Sequence, residues 1–422
     1  MIAVSGKSKR VFIACNGCGR RHLDAAKLVD FFKANNYMIV RSADAADYII
    51  FVTCSFKKYS EEKCFKEINK FLKYKGELIV VGCLPDIAPN RLKEVFHGKV
   101  VETRNLEKID ELFAGFKVKF SSMPDANLQY NDVKAVDAIF WRTLVFNFRL
   151  NKVFIKKCLK RLTEIFKGIL PLKLTKTAFL RVSRGCVEHC AYCNIFRAIG
   201  KLKSKRIDEC QREYSVLLKM GYRKFRLLAD NLGAYGLDCG NTFAELLQRF
   251  SDVDSGYSVN WFLSELHPRW AIAYSDVLSR YIVEGKITDI SCPVQSGSNR
   301  ILQLMNRHHS IEEITETLKR FRMLKPGLKF QTHLIVGFPS ETEEDIAATI
   351  NAAQAINFSE VLLNAYYDGY GSISSKMSDK IPQDKILARL NRVNMSLQKA
   401  GIVCFCDKDI WLGMQQRRLA DG

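Results

Sequence analysis

Between residues 8 and 118 the apolar positions follow two alternating rhythms. The short runs VFIAC (11–15), YMIV (37–40), DYIIFVTC (47–54), ELIVVGC (77–83) and KVVET (99–103) read as strands. Between them, residues 22–35, 60–74 and 87–96 carry apolar side chains at helical spacing. Strands alternating with helices of this length predict βαβ units and a parallel sheet covered on both faces. The first domain is therefore expected to be a doubly wound α/β unit over residues 1–118.

The alternation resumes after residue 176 and runs longer. Strands are expected at 177–183, 224–229, 258–263, 287–294, 329–338 and 360–366. Helical runs at 207–220, 242–250, 273–284, 298–305, 311–323 and 343–356 separate them. Six such units over 177–380 fit a full or partial β/α barrel, whose chemistry sits at the C-terminal ends of its strands. Residues 383–400 read as one more helix, so 381–422 is expected to be a C-terminal helix and tail.

Residues 119–176 break the rhythm and read as a linker. SSMPDANLQYND is turn-rich, and the stretch 141–176 holds ten Lys or Arg and a single acid, Glu164, interleaved with Trp141, Phe146, Phe148, Phe154 and Phe166. At helical spacing this is a basic amphipathic segment. It suits either packing on a neighbouring domain or a surface for RNA or lipid headgroups.

Composition narrows the class. Of the 422 residues, 47% are apolar and 26% charged, which is ordinary for a globular chain and excludes a disordered one. The net charge of +20 favours polyanionic partners, nucleic acid first. No run reaches the roughly 18 uncharged apolar residues of a membrane span, and no signal-peptide pattern opens the chain, so a cytoplasmic location is expected. In that compartment fourteen cysteines point to metal ligation rather than a disulfide frame.

The most specific feature is RGCVEHCAYCNIF (184–196), which sets Cys186, Cys190 and Cys193 in a C-x3-C-x2-C array just after the first barrel strand. Three thiolates on one tight loop hold three corners of an iron–sulfur cubane and leave one iron open. A zinc site completed by His189 would require the loop to fold back on itself, and no second Cys/His pair follows at zinc-finger spacing. The first domain offers another thiol set at the ends of three strands: Cys18 in NGCGRR, Cys54 in VTCS and Cys83 in VGCLP. Carboxyl ends of neighbouring parallel strands converge on one crevice, so these three are expected to meet. Cys15 competes with Cys18; Cys18 is preferred because Cys15 still lies in the apolar run. Cys64, Cys158, Cys210, Cys239 and Cys292 fall in apolar or helical settings and are assigned no chemistry, and the pair Cys404 and Cys406 is given no role.

Other candidates lie after barrel strands. Gln295 and Ser296 are placed to hydrogen-bond a ligand, and Gly337, Phe338 and Pro339 to let one approach the backbone; ordinary turn chemistry explains the same residues. Glu265 and His267 suit proton transfer or polar positioning.

The three-cysteine array with Tyr192 before its last member resembles the radical S-adenosylmethionine (SAM) superfamily. With Cys18, Cys54 and Cys83 ahead of it, the chain is similar over about residues 10–380 to the radical SAM methylthiotransferases. Further matches are LADNLGAYGLD (228–238), PVQSGSNRILQLMNR (293–307) and HLIVGFPSETEED (333–345). The resemblance implies two [4Fe–4S] clusters, one on each cysteine triad, and two SAM molecules, one methylating sulfur and one supplying a 5′-deoxyadenosyl radical. It implies that Asp230 and Asn231 contact the SAM amino group, and that Tyr192 contacts adenine or packs. It also implies insertion of sulfur and a methyl group into a C–H bond of a tRNA adenosine derivative, with a reductant such as flavodoxin or ferredoxin. The strings GAYG (233–236) and MNR (305–307) look most like the branch acting on threonylcarbamoyladenosine. Three departures stand out: Arg21 replaces an expected Asn, residues 367–372 lack the expected arginine, and no TRAM domain fits after the barrel. A peptide or small metabolite modified by a two-cluster radical enzyme is the alternative.

Overall fold

The computed structural model describes residues 9–128, 133–135 and 177–406; the basic stretch 141–176 lies outside them. The first sheet holds β1 (Arg10–Cys15), β2 (Met38–Ile39), β3 (Tyr48–Thr53), β4 (Glu77–Gly82) and β5 (Lys99–Glu102). They are parallel in the order β2-β1-β3-β4-β5, and β6 (Lys134–Ala135) also pairs with β1. In β1, β3 and β4 one more accessible residue is followed by five buried ones. That unbroken burial is what a parallel strand covered on both faces requires. Ile13, Val52 and Val81 join one core with the helix Gly19–Ala34, while Ala14, Phe51 and Val80 join another on the opposite face with the helix Lys58–Phe71.

The second sheet begins with β7 (Thr177–Arg181), followed in the chain by a small antiparallel ribbon of β8 (Ser183–Arg184) and β9 (Lys203–Ser204). Its other strands are β10 (Lys224–Leu228), β11 (Asn260–Leu263), β12 (Ile287–Ser291), β13 (Lys329–Val336), β14 (Glu360–Ala365) and β15 (Val403–Cys406). All are parallel in the order β7-β10-β11-β12-β13-β14-β15, with β7 and β15 at the two ends, which is the partial form of the barrel. Burial here alternates, most regularly along β13. Buried residues face the helices, and half-buried ones such as Arg226, Phe262 and His333 line the concave side. The sheet does not stop near residue 380: the helix Gln383–Lys399 leads into β15, and Cys404 and Cys406 are buried in the barrel core.

Ion pairs bolt the two sheets together. Asp24, on the helix Gly19–Ala34, lies 2.7 Å from Arg181 and 3.1 Å from Arg184 at the start of the barrel. Asp125, in the first part of the expected linker, lies 3.2 Å from Arg184, 3.5 Å from Lys205 and 3.6 Å from Lys27. Residues of this early linker segment thus pack between the domains.

Candidate functional site

The three first-domain cysteines follow the ends of β1, β3 and β4, as the strand pattern anticipates. Cys18 caps the helix Gly19–Ala34, Cys54 succeeds Thr53, and Cys83 succeeds Gly82. They meet: the Cys54 thiol lies close enough to both Cys18 and Cys83 to interact with each. Interaction with Cys18 and Cys83, reinforced by burial, pushes Cys54 well above the ordinary thiol range. The same contacts hold Cys18 and Cys83 below it, with the charges of Arg20 and Arg21 helping at Cys18 and that of Arg21 at Cys83. Interacting thiols of this kind titrate as a unit. Cys15 stands apart, fully buried in the core, where its Sγ accepts the Gly17 N–H at 3.3 Å and burial drives its thiol upward.

The C-x3-C-x2-C loop leaves β8. Cys186 Sγ accepts the Glu188 N–H at 3.4 Å and faces the Asn231 amide at 3.7 Å, while the Arg307 guanidinium approaches Cys190 Sγ at 3.8 Å. Burial raises the thiol of Cys186 to about 12 and that of Cys193 to about 11. Such thiols stay protonated until a metal displaces the proton. His189 turns outward against Phe196, with ring centroids 5.0 Å apart, so it does not complete a zinc site. Among the described residues no three His, Cys, Asp or Glu side chains close around a single ion. A cubane does not require that, because each thiolate binds a separate iron.

The two thiol sets lie on either side of the domain junction. Cys83 and Ile87 pack against Ala198, on the helix Ile195–Ile199 that continues directly from the cysteine loop. Arg20, two residues after Cys18, pairs with Asp230 at 3.0 Å and donates to the Ala229 carbonyl at 3.1 Å. The other oxygen of Asp230 accepts the Gly185 N–H at 2.9 Å, next to Cys186.

The remaining sequence candidates divide by what their polar atoms do. Asp230 is occupied by Arg20 and Gly185, so its carboxylate serves the junction. Ser296 turns its hydroxyl to Thr349, 3.3 Å away, and to the Ser298 N–H. Phe338 is buried with Ala191, Ile301, Met305 and Tyr366 beneath the cysteine loop, where Tyr192 also packs. Gly337 donates to Glu341 at 2.7 Å, and Pro339 is buried. Asn231 Oδ1 and Gln295 Oε1, in contrast, are buried without a hydrogen-bond partner among the described residues. Unsatisfied buried acceptors are costly, and a ligand donor relieves them.

Glu265 lies where burial opposes its charge, but His333, Arg20, Arg226 and Arg307 outweigh burial and hold its carboxyl below the ordinary value. His267 is a neutral helix cap: its Nδ1 accepts the Arg269 N–H at 3.3 Å, and burial plus the Arg307 charge push its imidazole far down. Sequence reasoning gave no role to Arg20, Arg307 or His309. Arg307 donates to the Tyr192 hydroxyl at 3.2 Å, and His309 stacks edge-on to His267 at 5.7 Å. The adjacent arginines of NGCGRR were the available signal for the first. Cys64, Cys210 and Cys292 are buried, whereas Cys239 is exposed and Cys158 lies outside the described residues.

Comparison with known proteins follows the same division. Residues 180–353 match the radical SAM superfamily, and residues 10–101 match the uncharacterized protein family UPF0004. The tRNA-2-methylthio-N(6)-dimethylallyladenosine synthase of Clostridium botulinum is 29% identical over 412 residues, covering 93% of this chain and 81% of the relative. Its namesake from Thermotoga petrophila is 28% identical over 398 residues, covering 92% of this chain and 82% of the relative. Among solved structures, the radical SAM methyltransferase TsrM from Kitasatospora setae superposes with a TM-score of 0.55 at 11% identity, covering 85% of this chain and 75% of that one. The cobalamin-dependent SAM radical enzyme OxsB gives 0.53 at 12% identity, covering 94% and 62%. At such identities the structural likeness bears on the fold alone.

Proposed function

This chain belongs to the radical SAM methylthiotransferase family, and from that premise we propose that it inserts sulfur and a methyl group into a C–H bond of an N6-substituted adenosine in tRNA. The meeting of Cys18, Cys54 and Cys83 across the domain junction from the Cys186–Cys193 loop is the observation that carries the reading. A generic radical enzyme needs the second triad only; sulfur delivery needs both.

In this reading Cys186, Cys190 and Cys193 hold one [4Fe–4S] cluster, and Cys18, Cys54 and Cys83 hold the other. When bound, the clusters and SAM supply the electron, the 5′-deoxyadenosyl radical and the methylated sulfur. The protein's part is placement. Asn231 and Gln295 offer their free acceptors to the SAM amino and hydroxyl groups. Arg307 steadies Tyr192 beside the loop. The apolar floor of Ala191, Ile301, Met305, Phe338 and Tyr366 keeps water from the radical. Arg20 and Asp230 fix the spacing between the two thiol sets. The electron comes from a soluble one-electron donor of the flavodoxin or ferredoxin class.

The relatives are named for dimethylallyladenosine, whereas GAYG and MNR resemble the threonylcarbamoyladenosine branch. Mass spectrometry of tRNA nucleosides from cells with and without the protein separates these. Loss of a methylthio group from either nucleoside identifies the acceptor. Unchanged tRNA, with a methylthio group lost from a peptide instead, overturns the tRNA reading.

A further inference from the structure

Two arginines follow Cys18, and the domain junction accounts for only one. Arg20 bears on Cys18 but spends its hydrogen bonds on Asp230 and the Ala229 carbonyl, whereas Arg21 keeps its own on the first-domain side. Its side chain is 3% exposed, and its stem packs under the Gly17–Cys18 backbone so closely that a Cβ on Gly17 would lie 2.3 Å from the Arg21 Cβ. Its guanidinium donates to Thr103 Oγ1 at 2.6 Å, and that hydroxyl lies 3.5 Å from Cys83 Sγ. Arg21 also lies 3.0 Å from Asp24, but Asp24 is shared with Arg181 and Arg184, and with Asp125 beside them two carboxylates face three guanidinium groups and Lys27. A buried positive charge therefore remains beside the first-domain triad.

A cubane on three thiolates becomes one charge more negative when it accepts an electron, and the charge and hydrogen bonds around a cluster set its potential. Resting on the two-cluster reading above, we propose that Arg21 is a positioning residue whose buried charge, relayed through Thr103, raises the reduction potential of the cluster held by Cys18, Cys54 and Cys83. The step concerned is one-electron reduction by an external low-potential donor, with the added negative charge shared among cluster, thiolates and the facing guanidinium. Arg21 makes the sulfur-bearing cluster easier to reduce than the thiolates alone would.

The test uses the full chain carrying Cys186→Ala, Cys190→Ala and Cys193→Ala, so that only the first-domain cluster forms, with dithionite titration followed by electron paramagnetic resonance. In this background Arg21→Gln is expected to move the midpoint to a more negative potential. At the potential that half-reduces the parent chain, the ratio of reduced to oxidised cluster should fall about tenfold or more. Asp24 keeps Arg181 and Arg184 in that variant, so the junction is retained. Thr103→Val keeps the arginine and removes the relay, and is expected to shift the midpoint the same way by less. Equal midpoints for the parent chain and the Arg21→Gln variant overturn the proposal. If the glutamine variant binds no iron, Thr103→Val decides: an unchanged midpoint overturns the proposal and a lowered one supports it. A parent chain that binds no iron overturns the two-cluster reading itself, a result distinguishable from the others.

Discussion

Gly82 has a φ of +115°, and a Cβ there would lie 2.4 Å from the Thr53 carbonyl oxygen. Only glycine lets the end of β4 close on β3 in this conformation, and that closure brings Cys83 to Cys54. Gly82→Ala should therefore remove most iron from the first domain and leave about four irons per chain on the other triad, as iron analysis after reconstitution would show. Gly185 does the same for the barrel loop, with φ +78° and a Cβ position 2.0 Å from the Lys201 carbonyl oxygen. Gly185→Ala should abolish 5′-deoxyadenosine formation, measured by chromatography of reaction mixtures. Both cysteine triads were legible in the sequence because spacing and strand ends reveal them. The arginines that surround them were less so. Arg20 and Arg307 act through partners more than 100 residues away, Asp230 and Tyr192, and nothing local announces that distance.

At the scale of elements, the helix Gly19–Ala34 carries both the first cysteine and the anion that fastens the two sheets. Burial opposes the charge on Asp24, but Arg181, Arg21 and Arg184 outweigh it and lower its carboxyl to about 2. A lowered carboxyl contributes stability that is complete above its unfolded value near 4 and is lost as the pH falls through about 2. The expected loss is about 2 kcal/mol between those limits. Urea midpoints of the cluster-free chain should show this acid step. Asp24→Asn should show a smaller one, because Asp125 beside it is also held low by Arg181, Arg184, Lys205 and Lys27. That variant should also be less stable by about 3 kcal/mol at neutral pH, because three arginines lose their shared partner. Element type followed the periodicity closely: the unbroken apolar runs of the first sheet became strands buried on both faces, and the alternating runs became barrel strands. β15 escaped because VCFC is four residues long and follows a helix that looked terminal. The exchange of Ser296 for a structural role had no sequence signal either, since a hydroxyl facing Thr349 reads like one facing a ligand.

At the scale of the whole molecule, charge and cofactor content make separable predictions. The net charge of +20 and the ten basic residues of 141–176 predict tRNA binding dominated by phosphate contacts. Affinity measured by filter binding should fall at least about a hundredfold between roughly 50 and 200 mM salt, and a salt-independent interaction would contradict this. The cofactor count bears on the mechanism itself. Iron and acid-labile sulfide, measured together with Mössbauer spectra after anaerobic reconstitution, should give about eight irons per chain. Replacing either triad with alanine should leave about four, and replacing both should leave none. Saturation at about four irons with all six cysteines intact would contradict the account.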